Sequence, residues 1–374
     1  MNKESHKKKK VIVSVISDLV TDQRVHKVCM YLHEKNLDVL LVGRSFSNSH
    51  VLESRAYRSR RLSCFFRKGP LQYIEFNLRL LLFLLFEPAT FLVSNDLDTL
   101  APNYLVSRVK SIRLVYDAHE YFTGVPELMD RPIKRSIWKW LEARMLPKIK
   151  RSYTVNNSIR ELYKKEYGIN MEVVRNLPYR QEVEKPGPEV IPYRLILQGA
   201  GMNRDRGIEE TILAMKQLPD FFSLLLVGGG SIWNELQLMT KSENLDDRIQ
   251  FIPTLPFAQL RAVTQTAWLG ISMDKPVSPN NTYSLPNKLF DYIHSGIPVV
   301  ASSLPEVKTI IEQYAVGLCI DQVTPESIAS AIQFVYHHPD KYHEWQRNTA
   351  IAAAELNWDM ETQQLGKVYN GLFS

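Results

Sequence analysis

Residues 280–303 read NNTYSLPNKLFDYIHSGIPVVASS, and this stretch predicts a short helix followed by a buried strand. Ser284 can cap the helix, and Pro286 can lie in its first turn. Gly296 and Pro298 are typical of a helix end. The apolar run after the proline is typical of a strand in a parallel sheet.

Two charged side chains share the polar face of this helix. Lys288 and Asp291 are three residues apart, so they lie on the same side of its first turns. A helix N-terminus with a nearby cation binds phosphate, because its first amides have no partner within the helix. A carboxylate one turn further on can accept hydrogen bonds from a ribose diol. The alternative is a surface helix whose lysine and aspartate are solvated.

A second candidate for phosphate binding is the loop GAGMNRDRG at 199–207, which follows a predicted strand and opens a helix. Its glycines let backbone amides approach a phosphate, and Arg206 can form a bidentate contact with it. Taken alone, the loop could be a glycine-rich turn with a solvated arginine. The helix start at 284–291 in the same half of the chain favours the phosphate interpretation.

The segment SLPNKLFDYIHSGIPVVAS at 284–302 resembles the donor-site motif of the family 4 retaining glycosyltransferases, which have the GT-B fold. That family carries a Glu-x7-Glu pattern, and its second glutamate binds the donor ribose. Asp291 stands at the second position and Tyr283 at the first. A branch of the family replaces the first glutamate with a PNKLF loop like the one found here.

The resemblance also implies which residues bind the donor nucleotide. Arg206 matches a lysine of the family, whereas Gly201 stands where the family has an arginine, so Lys288 would supply the second positive charge. The implied donor-binding residues are Gly201, Asn203, Arg206, Gly229, Ser284, Leu285, Asn287, Lys288 and Asp291.

The segment DAHE at 117–120 ends another predicted strand, at the edge where α/β folds place ligands. In the resembled family a histidine at this point faces the donor sugar. His119 would then orient the sugar or stabilise the positive charge that develops at its ring, with Asp117 and Glu120 setting its tautomer. Alternatively, His119 is a structural residue at a strand end. The candidate catalytic residues are His119, Arg206 and Lys288.

The loop after the first strand, DLVTDQRV at 18–25, supplies candidates for the acceptor side. Arg24 could contact an anionic acceptor or the sugar-bound phosphate, and equally it could cap a neighbouring carbonyl. Asp18 and Glu120 complete the predicted acceptor-side set.

Asp96 and Asp98 form a DxD triplet. In the other large glycosyltransferase fold such a triplet holds a divalent metal. The sequence DLDTL also reads as a helix start with two acidic residues in its first turn. The triplet lies far along the chain from the donor loop, and we predict no metal site.

Short apolar runs alternate with helical patterns along the whole chain. VIVSVI (11–16) and LDVLLVG (37–43) open the first series, and YRLILQG (193–199) opens a second. Two such series predict an α/β protein of GT-B type, with two Rossmann-like, doubly wound domains facing a central cleft. The predicted boundaries are 1–182 for the acceptor-side domain, 181–192 for a linker, 193–357 for the donor domain, and 358–374 for a helix that packs back on the first domain.

The 374 residues carry a net charge of +6, which is unevenly distributed. Residues 1–180 hold 32 Lys and Arg against 18 Asp and Glu, and the remainder is net negative. A basic half can meet nucleic acid, an anionic membrane or an anionic substrate. No nucleic-acid module is recognisable, so we expect no nucleic-acid partner.

Two segments suit attachment to a membrane surface. Residues 55–68 and 134–151 interleave cations with aromatic side chains. Core packing with a solvated basic face is the alternative. The apolar run at 78–86 is too short to span a bilayer. Three cysteines without metal spacing, and no recognisable secretory signal, predict a cytoplasmic protein associated with the inner face of the membrane.

The resemblance implies transfer of a hexose-type sugar from a nucleotide diphosphate sugar to a hydroxyl of a glycan or lipid-linked acceptor. Configuration would be retained, and cell-surface polysaccharide or glycolipid synthesis is the expected setting. Protein cations can stabilise the leaving diphosphate, so we expect neither metal nor cofactor. The alternatives are a nucleotide-sugar epimerase or phosphorylase on the same fold, or an inactive sugar-nucleotide-binding protein, which Tyr283 and Gly201 would favour.

Overall fold

A computed structural model describes residues 8–373 apart from 21, 47, 48, 50, 53, 68, 181–192 and 200. The chain divides into two compact units. Unit 1 contains the described residues up to Arg175 together with those from Thr362 on, and unit 2 runs from Asn176 to Glu361.

Unit 1 is built on a parallel sheet of seven strands in the order β3-β2-β1-β4-β5-β6-β7. The inner strands are continuous apolar runs because helices cover both faces of such a sheet. The strands are β1 Lys10–Ser14, β2 Asp38–Arg44, β3 Arg58–Leu62, β4 Phe91–Asn95, β5 Arg113–Ala118, β6 Arg151–Thr154 and β7 Glu172–Val173. The helices are α1 Gln23–Glu34, α2 Pro70–Phe86, α3 Leu100–Val109, α4 Pro126–Met129, α5 Pro132–Met145 and α6 Asn157–Tyr167.

Unit 2 repeats this plan with six parallel strands in the order β10-β9-β8-β11-β12-β13. The strands are β8 Arg194–Gly199, β9 Ser223–Gly228, β10 Ile249–Pro253, β11 Leu269–Ser272, β12 Val299–Ser302 and β13 Gly317–Ile320. The helices are α7 Ile208–Ala214, α8 Trp233–Ser242, α9 Phe257–Thr264, α10 Pro279–Thr282, α11 Asn287–His294, α12 Pro305–Tyr314, α13 Pro325–His337 and α14 Pro339–Glu355. The last helix, α15 Trp358–Tyr369, begins in unit 2 and continues into unit 1.

Each sheet reverses its strand order once, between β1 and β4 in unit 1 and between β8 and β11 in unit 2. In doubly wound sheets, ligands bind outside the carboxyl ends of the strands at this switch point. The predicted α/β, doubly wound fold is therefore confirmed for both units.

The chain passes from unit 1 to unit 2 after Arg175 and returns to unit 1 after Glu361. The sequence had predicted the end of the first domain at 182 and the end of the second at 357. Leu177 is fully buried in a hydrophobic cluster of unit 2, and the Trp358 amide donates to the Pro178 carbonyl at 2.7 Å. The residues just after β7 therefore belong to unit 2. The predicted linker at 181–192 lies outside the described residues.

The end of the chain returns to unit 1. Tyr369 is buried, and its ring lies 6.1 Å from that of Phe91 and 6.3 Å from that of Tyr153. Arg151 Nη1 donates to the Val368 carbonyl at 2.6 Å. These contacts explain why the chain from Thr362 on belongs to the first unit.

Helix α2 packs on the first sheet through one face only. Phe76, Leu80 and Leu84 are fully buried in a cluster with side chains of β1, β2 and β4. The opposite face is apolar and exposed, through Leu71, Ile74, Leu78, Leu82 and Phe86. Among the described helices, none has both the length and the hydrophobicity that crossing a bilayer requires.

Candidate functional site

The first turn of helix α11 lies at the switch point of unit 2. Lys288 on this helix pairs with Asp274, which follows β11 by two residues, at 2.8 Å. Asp291, one turn further on, accepts a hydrogen bond at 3.0 Å from Gln198 near the end of β8. The polar face predicted for this helix is therefore directed at the ends of β8 and β11.

The helix begins two residues later than a Ser284 cap would require. Pro286 is the N-cap residue, with ψ at 134°, and it provides no side-chain cap. The Ser284 hydroxyl instead donates to the Asn281 carbonyl at 2.9 Å. The residue before a proline is restricted to extended conformations, so the helix cannot start at Leu285. The Leu289 amide donates to the Pro286 carbonyl at 3.1 Å, and Pro286 offers no side-chain cap to the amides of Asn287 and Lys288, so these two can face an anion.

Asp274 pairs with both cations that the sequence predicted to bind phosphate, Arg206 and Lys288. Its Oδ1 lies 2.7 Å from Arg206 Nη1, and its Oδ2 lies 2.8 Å from Lys288 Nζ. The Asp274 side chain is only 1% exposed, against 11% for Lys288 and 36% for Arg206. Burial alone would raise the pKa of Asp274, but Lys288 and Arg206 outweigh burial and lower it.

Arg206 reaches Asp274 because of the residue that follows it. Gly207 caps helix α7 in the left-handed conformation, with φ at +67°. A Cβ atom at this position would lie 2.3 Å from the Met273 carbonyl oxygen. Only glycine allows this close approach of the two loops. Sequence analysis missed Asp274, whose only signal was its place after an apolar strand.

The Gln198 side chain is oriented by its neighbours. Its Oε1 accepts a hydrogen bond from the Thr264 hydroxyl at 2.7 Å, so its Nε2 is directed at Asp291. The Tyr292 hydroxyl accepts from the Gln198 amide at 3.1 Å and lies 3.1 Å from the Ile271 carbonyl. Asp291 is therefore held as a hydrogen-bond acceptor at the edge where a ribose is predicted.

Three more of the predicted donor residues connect the loops after β8 and β9. Asn203 Oδ1 accepts from the amide and the hydroxyl of Ser231, at 3.1 and 2.9 Å. The Gly229 carbonyl accepts from the Met202 amide at 2.8 Å, and Gly201 is exposed between these contacts. The side chain of Asn203 is thus engaged in shaping the loop.

The remaining two predicted donor residues lie at the start of α11. Leu285 is half-buried and packs against a hydrophobic cluster of unit 2. Asn287 Oδ1 accepts from Asn176 Nδ2 at 3.2 Å. Both side chains face protein groups, so a ligand at this turn would meet mainly backbone amides.

The second constellation lies in unit 1, at the adjacent carboxyl ends of β4 and β5. His119 is surrounded by hydrogen-bond acceptors: its Nδ1 lies 3.3 Å from Asp96 Oδ2, and its Nε2 lies 3.3 Å from Asp117 Oδ2 and 3.1 Å from Asn95 Oδ1. Burial lowers the pKa of His119, but Asp96 and Asp117 outweigh burial and raise it to about 9.

This raised pKa favours the imidazolium form of His119, in which both ring nitrogens donate. This form suits the predicted orientation of a sugar, whereas the alternative role, stabilising positive charge at the sugar ring, would require the neutral form. The carboxylates beside the two ring nitrogens are those of Asp96 and Asp117 rather than those of Asp117 and Glu120. Glu120 is half-buried, and its backbone carbonyl accepts from the Tyr163 hydroxyl at 3.4 Å.

Arg24 is buried, which corrects its placement on the acceptor side. Its guanidinium pairs with Asp117 at 2.7 Å and donates to the Val174 carbonyl at 2.8 Å. The alternative reading, in which Arg24 caps a carbonyl, is the one that matches the structure. Burial raises the pKa of Asp117, but Arg24 and then His119 lower it to about 2.

Asp18 holds the loop after β1 in place. Its carboxylate accepts from the Val20 amide at 2.8 Å and from the Ser49 hydroxyl, and it pairs with Arg61 at 3.4 Å. These contacts leave a role toward an acceptor as a prediction.

The two aspartates of the DxD triplet have separate surroundings. Asp96, at φ +55°, accepts the His119 amide at 2.8 Å. Asp98 is buried at the start of a helical turn that leads into α3, and burial raises its pKa well above the usual range. Nowhere in the described part of the chain do three or more His, Cys, Asp or Glu side chains come together as a metal site would require.

Two family models match this sequence, one in each half. Residues 22–177 match Glycosyltransferase Family 4, and residues 181–351 match Glycosyl transferases group 1. The chain belongs to these glycosyltransferases. The resemblance seen at 284–302 is confirmed. No curated protein matches the sequence.

Solved structures of glycosyltransferases share this fold over their whole length. Sucrose-phosphate synthase from Thermosynechococcus elongatus is 17% identical, with a TM-score of 0.79 over 98% of this chain and 99% of that one. HepE of Anabaena, in complex with UDP and glucose, is 14% identical, with a TM-score of 0.75 over 97% and 100%. WaaG, a glycosyltransferase involved in lipopolysaccharide biosynthesis, is 13% identical, with a TM-score of 0.75 over 96% and 100%. At these identities the likeness establishes the GT-B fold.

Proposed function

We propose that this glycosyltransferase transfers a sugar from a nucleotide diphosphate sugar to an acceptor hydroxyl with retention of configuration. The observation that carries the proposal is the meeting of Arg206 and Lys288 at the N-terminus of α11. Two cations and a helix N-terminus suit a diphosphate, whose negative charge grows as the sugar departs.

In this proposal, positive groups of the protein stabilise the negative charge of the leaving diphosphate, and neither metal nor cofactor is required. Lys288 is largely buried beside Asp274, and a buried cation interacts with phosphate more strongly than a solvated one. Arg206 is more exposed and can rotate from Asp274 toward an oxygen of the diphosphate. We propose that the leaving phosphate itself takes the acceptor proton.

Asp291 is proposed to bind the ribose, and His119 the transferred sugar. Asp291 already accepts one hydrogen bond from Gln198 and can accept more from hydroxyls. As an imidazolium, His119 can only donate, and its two N–H groups already face Asp96 and Asp117, so a sugar hydroxyl oxygen would share or displace one of these contacts. Its role is orientation of the donor.

We further propose that the acceptor is lipid-linked and that unit 1 binds an anionic membrane surface from the cytoplasmic side. Support comes from the outer face of α2, where five apolar side chains are between 52% and 85% exposed. They recur every three to four residues, so they form one stripe along the helix. A stripe of this kind suits burial at a bilayer interface.

Basic and aromatic side chains adjoin this stripe. Phe65 is exposed just before α2 and lies 5.1 Å below the Arg79 guanidinium, and Arg60 lies over Phe83. Helix α5 packs beside α2 through Trp138 and Tyr73, and it exposes further apolar residues. Both segments stay part of this proposal: 55–68 contains the edge strand β3 and the exposed Phe65 and Phe66, and 134–151 lies largely in α5.

Nucleotide release tests the central proposal. The protein is incubated with UDP-sugars and GDP-sugars, and the freed nucleoside diphosphate is measured with and without a lipid extract as acceptor source. We expect release from one nucleotide class, which stops in the Lys288→Ala variant. Binding without release in any combination would favour an inactive sugar-nucleotide-binding protein.

A further inference from the structure

The diphosphate site of unit 2 already contains an anion. The Asp274 carboxylate uses one oxygen for Arg206 and the other for Lys288, at 2.7 and 2.8 Å. Both cations that the proposed function assigns to the donor are therefore partly neutralised before any ligand arrives. A site that needed only positive charge would not place a carboxylate between its two cations.

Two serine hydroxyls near the ends of neighbouring strands hold Asp274 in position. The Ser302 hydroxyl at the end of β12 donates to the Asp274 carbonyl at 2.6 Å, and the Ser272 hydroxyl lies 3.4 Å from Asp274 Oδ2. Asp274 also follows directly on the strand β11, one of the inner strands of the sheet. The carboxylate cannot move far, whereas the half-exposed Arg206 side chain can.

We propose that Asp274 is a built-in counter-ion, which positions Arg206 and Lys288 while the site is empty and weakens their hold on the nucleoside diphosphate product. This inference rests on the proposed function, because it assigns the same cations to the diphosphate. With two cations and one carboxylate, the site has a formal charge of +1 instead of +2. Release of a strongly charged product is easier from the less positive site.

A purely structural carboxylate would behave in the opposite way. If Asp274 only kept the two cations in place, its removal would let them move apart, and phosphate binding would weaken. If Asp274 competes with phosphate for the two cations, its removal strengthens binding. The sign of the change in affinity therefore separates the two roles.

The test measures binding of UDP and of pyrophosphate by calorimetry, since pyrophosphate needs neither base nor ribose. We expect Asp274→Asn to bind both probes about tenfold more tightly than the parent. We also expect its affinity to fall more steeply with added salt, because the site carries one more positive charge. Equal or weaker binding by a folded Asp274→Asn variant would overturn the proposal.

A double variant keeps the test decisive should Asp274→Asn fail to fold. Arg206→Gln leaves Lys288 facing Asp274 alone, so this variant should lose phosphate affinity. Arg206→Gln combined with Asp274→Asn removes one charge of each sign and should bind more tightly than Arg206→Gln alone. If the double variant binds no better, Asp274 is not a competitor of the phosphate.

Glu243→Gln is the matched control. Glu243 pairs with Lys216 at 2.6 Å on the surface of the same unit, so the substitution adds the same net charge away from the site. Its affinity should equal that of the parent. A parent protein that binds neither probe would overturn the proposed function itself, whereas binding by the parent with unchanged affinity in Asp274→Asn would overturn this inference alone.

Discussion

At the scale of single residues, the donor site depends on charges that lie far apart in the sequence. Arg206 and Lys288 contact the same carboxylate, although 82 positions separate them. Their neighbours in sequence are engaged elsewhere: Arg204 pairs with Glu235 at 2.8 Å on the surface. Proximity to Asp274 distinguishes the two cations that we propose for donor binding from the other cations of the same loops.

Replacing either cation by alanine should weaken nucleotide binding. Arg206→Ala and Lys288→Ala each remove a charge-assisted contact, so we expect the affinity for UDP or GDP to fall about ten- to hundredfold. Arg204→Ala is the control from the same loop and should bind as the parent does. If both variants kept parental affinity in calorimetry, the donor site would lie elsewhere.

Asp291 should contribute through the ribose alone. In Asp291→Asn we expect the affinity for a ribonucleoside diphosphate to fall about tenfold, while the affinity for its 2′,3′-dideoxy analogue stays unchanged. The ratio of the two dissociation constants is the quantity to compare with that of the parent. A ratio that does not change would exclude a contact between Asp291 and the ribose.

His119 should make the stability of unit 1 depend on pH. Its pKa is raised to about 9 in the folded protein, so its charged form stabilises the fold fully below the unfolded value and progressively less as pH rises toward 9. The slope between these limits is at most about 1.4 kcal/mol per pH unit.

Urea denaturation of the parent and of His119→Gln measures this contribution. The difference in unfolding free energy between the two should be largest near about pH 6 and should shrink by about pH 9. A difference that stays constant over this range would mean that His119 is neutral in the folded protein.

At the scale of elements, α2 and α11 each have two faces that lie in different surroundings. In α11, Leu289, Phe290 and Ile293 are buried, while Lys288 and Asp291 face the ends of β8 and β11. In α2 both faces are apolar, so the hydrophobic pattern cannot tell which face meets the sheet. The sheet side is decided by contact with β1, β2 and β4.

The exposed stripe of α2 should mediate membrane binding. We expect the parent to float with anionic vesicles at low salt, because each cation near such a surface contributes about 1 kcal/mol. Leu78→Glu combined with Leu82→Glu should abolish flotation without lowering the melting temperature, since both side chains are exposed.

Leu238→Glu supplies the control for this experiment. Leu238 is a similarly exposed leucine on α8 of unit 2, and its replacement should leave flotation unchanged. Parent protein that binds neither anionic nor neutral vesicles would remove the membrane proposal. An anionic soluble acceptor would then remain as the partner of the basic half.

At the scale of the whole molecule, the two units carry opposite balances of charge. The basic excess lies in residues 1–180, whereas the half with the donor site is net negative. Arg206 and Lys288, the two cations proposed to bind the donor, therefore lie at the switch point of a unit whose net charge is negative. This distribution favours a donor site built from a few fixed charges.

Turnover should not require a divalent metal. We expect donor turnover to continue unchanged in the presence of a chelator, because Arg206, Lys288 and the amides of α11 take the place of a metal beside the diphosphate. The measurement is nucleotide release with and without EDTA. Loss of activity that Mn²⁺ or Mg²⁺ restores would assign a metal role to Asp96 and Asp98.

Sequence patterns were sufficient for the inner architecture. The inner strands with continuous apolar runs were all predictable, because a parallel strand buried on both faces has no room for polar residues. The two missed strands, β3 and β13, lie at sheet edges. RSRRL is mostly charged, and GLCI is apolar but only four residues long and half-buried, so neither stands out as a buried strand.

The candidate site likewise has features that the sequence predicted and features that it could not predict. The sequence alone was enough to find the motif at 284–302 and the glycine loop before α7, and to predict Arg206 and Lys288 as phosphate-binding cations, because each is a short stretch whose local geometry follows from its residues. Only the tertiary structure decided that Asp274 lies between those cations, that Arg24 is buried in an ion pair with Asp117, and that His119 lies beside Asp96 and Asp117, which raise its pKa. These are ion pairs and burial between distant parts of the chain, and their energies depend on distances that no local pattern contains.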